Sequence, residues 1–111
     1  PDDYLVVKTN YLRDTNQDAI PFPVRAFIDN ESDLKFTVIE IQAIDRIGLM
    51  HDLLYTINKH GLQTTHARIA TEKGAALDTL YINTDDGKRV RDRVILNSLQ
   101  DSLDELIGIR E

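Results

Sequence analysis

The amino-acid sequence predicts an α+β sandwich, with two helices packed on one face of a mainly antiparallel sheet. Three observations predict it. The segment FTVIEIQAI (residues 36–44) alternates as a strand does, and after Asp45-Arg46-Ile47-Gly48 it gives way to the helix-like stripe of LMHDLLYTINKH (residues 49–60). LQTTHARIAT and AALDTLYINT flank Glu72-Lys73-Gly74 as the two arms of a hairpin. Beyond them Ile95, Leu99, Leu103 and Leu106 recur at spacings of 4, 4 and 3, which marks a second amphipathic helix.

Taken in order, residues 4–11 (YLVVKTNY) are rich in β-formers and read as a strand; Arg13 to Ala19 is a polar loop. Pro21 and Pro23 introduce VRAFI, a short strand suited to a sheet edge because proline cannot donate to a ladder. Asp29 to Asp33 is a further loop. In the next strand Ile39, Ile41 and Ala43 share one face, while Val38, Glu40 and Gln42 share the other. Val38 and Ile44, out of phase with Ile39 and Ile41, are expected to be apolar positions that a neighbouring domain would cover. The first helix buries Leu49, Met50, Leu53, Leu54 and Ile57 and ends at His60-Gly61, a histidine at the negative helix end followed by a residue free to turn left-handed. Asp85-Asp86-Gly87 is expected to turn the chain into the second helix. Gly48, Gly61, Gly74 and Gly87 fall thirteen residues apart, but their flanks differ, so they read as element boundaries and not as a repeat. The order is ferredoxin-like, βαββα(β), preceded by one or two extra strands. Residues 1–34 read as an N-terminal extension and residues 35–111 as the domain proper.

Composition narrows the function. At 111 residues the chain fits one domain, and its 41% hydrophobic and 29% charged residues support a core with a solvated surface. A net charge of −6 is the wrong sign for a phosphate-backbone binder, so no nucleic-acid partner is expected. The absence of cysteine excludes disulfides, thiolate metal sites and cysteine nucleophiles. No apolar run approaches the ~20 residues of a membrane span. The chain opens Pro-Asp-Asp without a methionine, which suggests a fragment of something longer, and with no signal peptide visible the cytoplasm is the default expectation. Ser32, Ser98 and Ser102 have no histidine or aspartate partner that the sequence can supply, and His51, His60 and His66 lack ligand spacing. No catalytic residue, metal or cofactor is assigned.

The junction Asp45-Arg46-Ile47-Gly48 carries the chemistry. Backbone N–H groups at a helix start bear partial positive charge and receive a carboxylate well. Gly48 lets a ligand approach the backbone. Asp45 either caps the helix or pairs with an ammonium group. A carboxylate acceptor beside an ammonium acceptor describes an α-amino-acid pocket, whereas a cap plus a packing glycine is the structural alternative.

The span Thr37 to Thr84 resembles the ACT domain, a small βαββαβ regulatory module that often binds amino acids. Its hallmark, a strand running into Asp-Arg-Pro-Gly-Leu, stands here as Asp45-Arg46-Ile47-Gly48-Leu49. The stretch from Phe22 to about Leu106, and HARIAT followed by ALDTLYI in particular, is similar to the final ACT repeat of the bacterial enzymes that uridylylate and de-uridylylate the PII signal protein. It is similar also to plant ACT-repeat proteins. The resemblance implies a regulatory domain without catalysis of its own, with glutamine as the first candidate effector and a homodimer or neighbouring ACT repeat as partner. It further implies that Asp45, Arg46, Ile47, Gly48 and Leu49 form the ligand loop and that Gln63 adds a polar contact, often across a subunit interface. Two departures are plain: Ile47 replaces the motif's proline, and Ala43 stands where some relatives carry a polar side chain. The alternative is a pairing module that binds no ligand.

Overall fold

The computed structural model describes residues 23–108. Its elements are β1 (Arg25–Asp29), β2 (Thr37–Ile44), α1 (Leu49–Lys59), β3 (Gln63–Arg68), β4 (Thr71–Glu72), β5 (Ala75–Asn83) and α2 (Arg93–Ile107). The strand expected at residues 4–11 and the loop after it lie outside the described residues.

The five strands form one sheet in the order β1-β2-β5-β3, with β4 also on β5, and every pairing is antiparallel. β2 and β5 therefore occupy the centre, and α1 carries the chain from β2 past β5 to the far edge. β1 lies at the other edge, as its prolines predict, in register from Arg25↔Gln42 to Asp29↔Val38. In a βαββαβ order the closing strand takes that position beside the first strand; here β1 holds it. The C-terminal helix packs on β1, and Gln100 Nε2 donates to the Ala26 carbonyl at 2.9 Å.

Strand alternation places Ile39, Ile41 and Ala43 beside Ala76, Leu80 and Ile82 on the helix-facing side, where Leu49, Leu53, Ile57, Leu99 and Leu103 close over them. Each of these side chains is essentially removed from water. Transferring a Leu or Ile side chain into such a core stabilises by roughly 1.5–3 kcal/mol. The α1 stripe holds for Leu49, Leu53 and Ile57, but Met50 is only half-buried and Leu54 remains 38% exposed. Those two lie on the flank of the helix, away from the sheet's centre line.

One sequence expectation fails. Val38 is not an uncovered position: it is 4% exposed, set between Asp29 and Tyr81 in the ladders. Tyr81 is itself stacked on His66 at 4.1 Å and met edge-on by Phe36 at 5.7 Å. Ile44, by contrast, is 53% exposed. The Asp85-Asp86-Gly87 turn leads into the second helix by way of a short connection. Residues 88–92 run irregularly first, strapped down by remote polar groups. The buried Thr37 hydroxyl accepts from Val90 N at 2.8 Å and donates to Asn30 Oδ1 at 2.5 Å, while Asn30 Nδ2 donates to the Val90 carbonyl at 2.8 Å. Arg89 Nη1 adds a bond to the Asn30 carbonyl at 2.9 Å. Helix α2 then starts at Arg93, with the Asp92 carboxylate accepting from Val94 N at 2.9 Å and Ile95 N at 3.3 Å.

The hairpin turn is well matched to its residues. Lys73 and Gly74 have φ of 52° and 80°, both positive, as the two central residues of a type I′ turn require.

Candidate functional site

The β2–α1 loop begins where Ile44 ends the ladder. Asp45 N donates to the Gly74 carbonyl at 2.9 Å, tying the loop to the hairpin tip. Arg46 folds back over α1, its Nη2 2.8 Å from Asp52 Oδ2 and its Nη1 3.3 Å from the Ile47 carbonyl. Ile47 is fully exposed, and Leu49 lies in the core with its N–H on the Arg46 carbonyl at 3.2 Å.

Gly48 is the N-cap of α1, in the left-handed region at φ 85°, and no side chain caps the helix. Asp45 is thus not the cap that the sequence allowed. Its carboxylate is exposed and makes no hydrogen bond or ion pair among the described residues. Among the described residues no side chain accepts from the amides of Met50 and His51. A Cβ built on Gly48 would meet only Arg46 Nη1, at 3.7 Å, so the backbone there is open to an approaching group. The positive end of α1 and an unmatched Asp45 carboxylate are available together, and Arg46 is already engaged.

Gln63 does not join them within one chain. It pairs with Asn83, whereas the loop adjoins Ala75, the partner of Ile44. Asn83 lies eight residue steps from Ala75 along β5, about 27 Å at ~3.4 Å per residue. Gln63 instead donates from Nε2 to Asp85 Oδ1 at 3.1 Å.

Asp78 is the residue that the sequence reading missed. It lies in phase with Ala76, Leu80 and Ile82, opposite Ile41 on the helix-facing side, and is only 4% exposed. Its Oδ1 accepts from Ala70 N at 3.3 Å. Burial pushes its carboxyl above the ordinary 3.8; the Ala70 bond opposes this, and the nearby Asp45 charge adds to it. The signal was present in the sequence: Ala76-x-Asp78-x-Leu80-x-Ile82 is a strand face with one charge in it.

Ser98 also has a partner that the sequence could not supply. His60 Nε2 lies 3.1 Å from Ser98 Oγ, and its Nδ1 lies 2.8 Å from the Thr56 carbonyl. Because a carbonyl only accepts, Nδ1 carries the proton, and in the neutral ring Nε2 accepts from the serine. This clasp joins the end of α1 to α2. Among the described residues no cluster of histidine and carboxylate could hold a metal ion, and no helix is long and apolar enough to cross a membrane.

The fold and loop together define a small α+β module of ferredoxin-like order, with an open, uncapped helix start beside an unmatched carboxylate. A family model described as "ACR9-like, ACT-like domain" matches residues 25–108. The chain is 36% identical over 85 residues to the bifunctional uridylyltransferase/uridylyl-removing enzyme of Gluconobacter oxydans, covering 77% of this chain and 9% of that protein. It is 32% identical over 81 residues to the ACT domain-containing protein ACR4 of Arabidopsis thaliana, covering 73% of this chain and 18% of that one. The uridylyltransferase/uridylyl-removing enzyme of Zymomonas mobilis is 42% identical over 57 residues, 51% of this chain and 6% of its own length. No solved structure matches. The chain belongs to the ACT-like domain family. It spans under a fifth of the length of these curated relatives.

Proposed function

We propose that this chain is a regulatory ACT module that senses a small amino acid, glutamine first, and has no catalytic activity of its own. Its setting would be a cytoplasmic uridylyltransferase/uridylyl-removing enzyme, the protein that the bacterial relatives are named for. The observation that carries the reading is the start of α1. Gly48 leaves the helix uncapped and its backbone approachable, which suits the carboxylate of a zwitterion, and the free Asp45 suits its ammonium. Gln63 lies too far away to serve the same ligand within one chain, so it would reach the ligand from a second copy or a neighbouring repeat. A thermal-shift screen of the twenty amino acids at millimolar concentration tests the reading. Glutamine is expected to raise the Tm of the wild type and not of Gly48→Val, because a ligand that binds only the folded state stabilises it by mass action.

A second reading, pairing without ligand, is favoured by the β3 edge. Every residue from Gln63 to Arg68 except Thr64 is exposed, and Ile69 beyond it is 63% exposed. A flat screen on a sample that is dimeric by sedimentation would favour this reading.

A further inference from the structure

The buried carboxylate of Asp78 is not explained by the work it does for the fold. Arg68↔Thr79 and Thr71↔Ala76 share one register, so the intervening Ile69 and Ala70 stand opposite Asp78 and Leu77. Leu77 N still donates to the Ala70 carbonyl at 2.9 Å, but the reciprocal amide, Ala70 N, goes to Asp78 Oδ1 at 3.3 Å. The side chain thus replaces one ladder acceptor where β3 gives way to β4. A neutral Asn oxygen would do the same. A carboxylate brings a charge that is costly to bury unless it is paired. It has one long hydrogen bond and no cation among the described residues, and Asp45, the charged neighbour whose effect is resolved, is negative. Arg46, the basic residue of the adjacent loop, is committed to Asp52. The site is one positive charge short.

Resting on the amino-acid reading above, we propose that Asp78 is the specificity-determining acceptor for the ligand's ammonium group, on the same strand, β5, whose start is tied to the ligand loop through Ile44↔Ala75 and the Asp45–Gly74 bond. The ligand class is a zwitterion with a primary ammonium, and the same compound without its amine is rejected. Entry runs past Ile69 and Ala70, which are exposed and belong to no regular strand. Bound there, the ammonium, with its three donors, serves Asp78 as well as the Asp45 carboxylate of the proposed pocket. Asp78 gains the counter-charge that its burial lacks.

The test uses the 111-residue chain as wild type and Asp78→Asn, titrated with L-glutamine and with its des-amino counterpart. Asn keeps an acceptor for Ala70 N, so the strand junction survives. The expected result is that the wild type binds glutamine and rejects the des-amino compound. Asp78→Asn, folded by circular dichroism, should bind glutamine at least about tenfold more weakly, the lower end for a lost charge-assisted hydrogen bond. The 13Cγ resonance of Asp78 in the wild type should also move on adding glutamine, a readout that a purely structural aspartate would not give and that stands if the variant fails to fold. Equal affinity and equal discrimination in both proteins, or an unmoved Asp78 resonance in glutamine-saturated wild type, overturns the assignment and leaves the amino-acid reading intact. A wild type that binds none of the twenty amino acids overturns both.

Discussion

Thr37 shows how much one buried hydroxyl can hold. It is 0% exposed, and its single oxygen serves both Val90 N and Asn30. Thr37→Val keeps the shape and strands the Val90 amide, so it should cost about 1–3 kcal/mol, the penalty for an unsatisfied buried donor. Urea denaturation would show a lower midpoint with an unchanged slope. Asp78 gives a residue-scale prediction of opposite sign. A carboxyl whose folded pKa is raised binds its proton more tightly in the native state than in the unfolded one. Its contribution therefore favours folding below 3.8 and is lost as pH rises from there through the raised folded value. Asp78→Asn should remove that loss and be at least as stable as the wild type near neutrality in the absence of ligand, with the difference shrinking as the pH falls toward 3.8. Parallel urea melts across pH 3.5 to 7 would check this, and a variant less stable at neutral pH would contradict it.

The two helix starts make a pair at the scale of elements. Helix α2 is capped by Asp92, and Asp92→Ala should cost about 1 kcal/mol in a denaturant titration. Helix α1 has Gly48 in place of a cap, so what a substitution costs there is set by the backbone. Nothing crowds a Cβ at Gly48, yet φ 85° lies in the left-handed region, where an L-residue costs roughly 1–2 kcal/mol. Gly48→Val should therefore be destabilised by about that amount through strain and not through a clash, and the sheet signal in circular dichroism should persist. Most elements were legible because their signals are local. Alternation marked β2, the Glu72-Lys73-Gly74 turn marked β5 as a hairpin arm, helical apolar spacing marked both helices, and the prolines before β1 placed it at an edge. Residues 88–92 were not legible, because Asn30 and Thr37 hold them across more than fifty positions. The loop Asp45–Leu49 could be read from its residues, but whether Asp45 caps a helix, or Gln63 reaches the loop, is a matter of geometry. No spacing along the chain encodes the 27 Å or so between Gln63 and that loop.

Among the described residues the sheet ends in two edge strands, β1 and β3. The β3 edge is exposed along Gln63–Arg68 together with Ile69, whereas β1 at the opposite edge has α2 packed on it and its Ala26 carbonyl taken by Gln100. A second copy pairing at β3 would satisfy the backbone groups of that strand and bring a Gln63 of its own toward the first copy. Sedimentation at micromolar concentration should show a species heavier than the 12.7 kDa monomer, and Ala67→Pro on that edge should shift it toward the monomer.

The bond between Gln100 and Ala26 has a consequence for how the chain reaches this state. It joins positions 74 apart in sequence, and the strand it secures has its ladder only along β2. The β4–β5 hairpin, closed by a two-residue turn, can form in microseconds, but β1 is fastened from its second side only after α2 has docked. Loop-closure entropy puts that contact late in folding. Gln100→Ala should therefore speed unfolding and leave the refolding rate nearly unchanged, so the edge that forms last would also be the first to open.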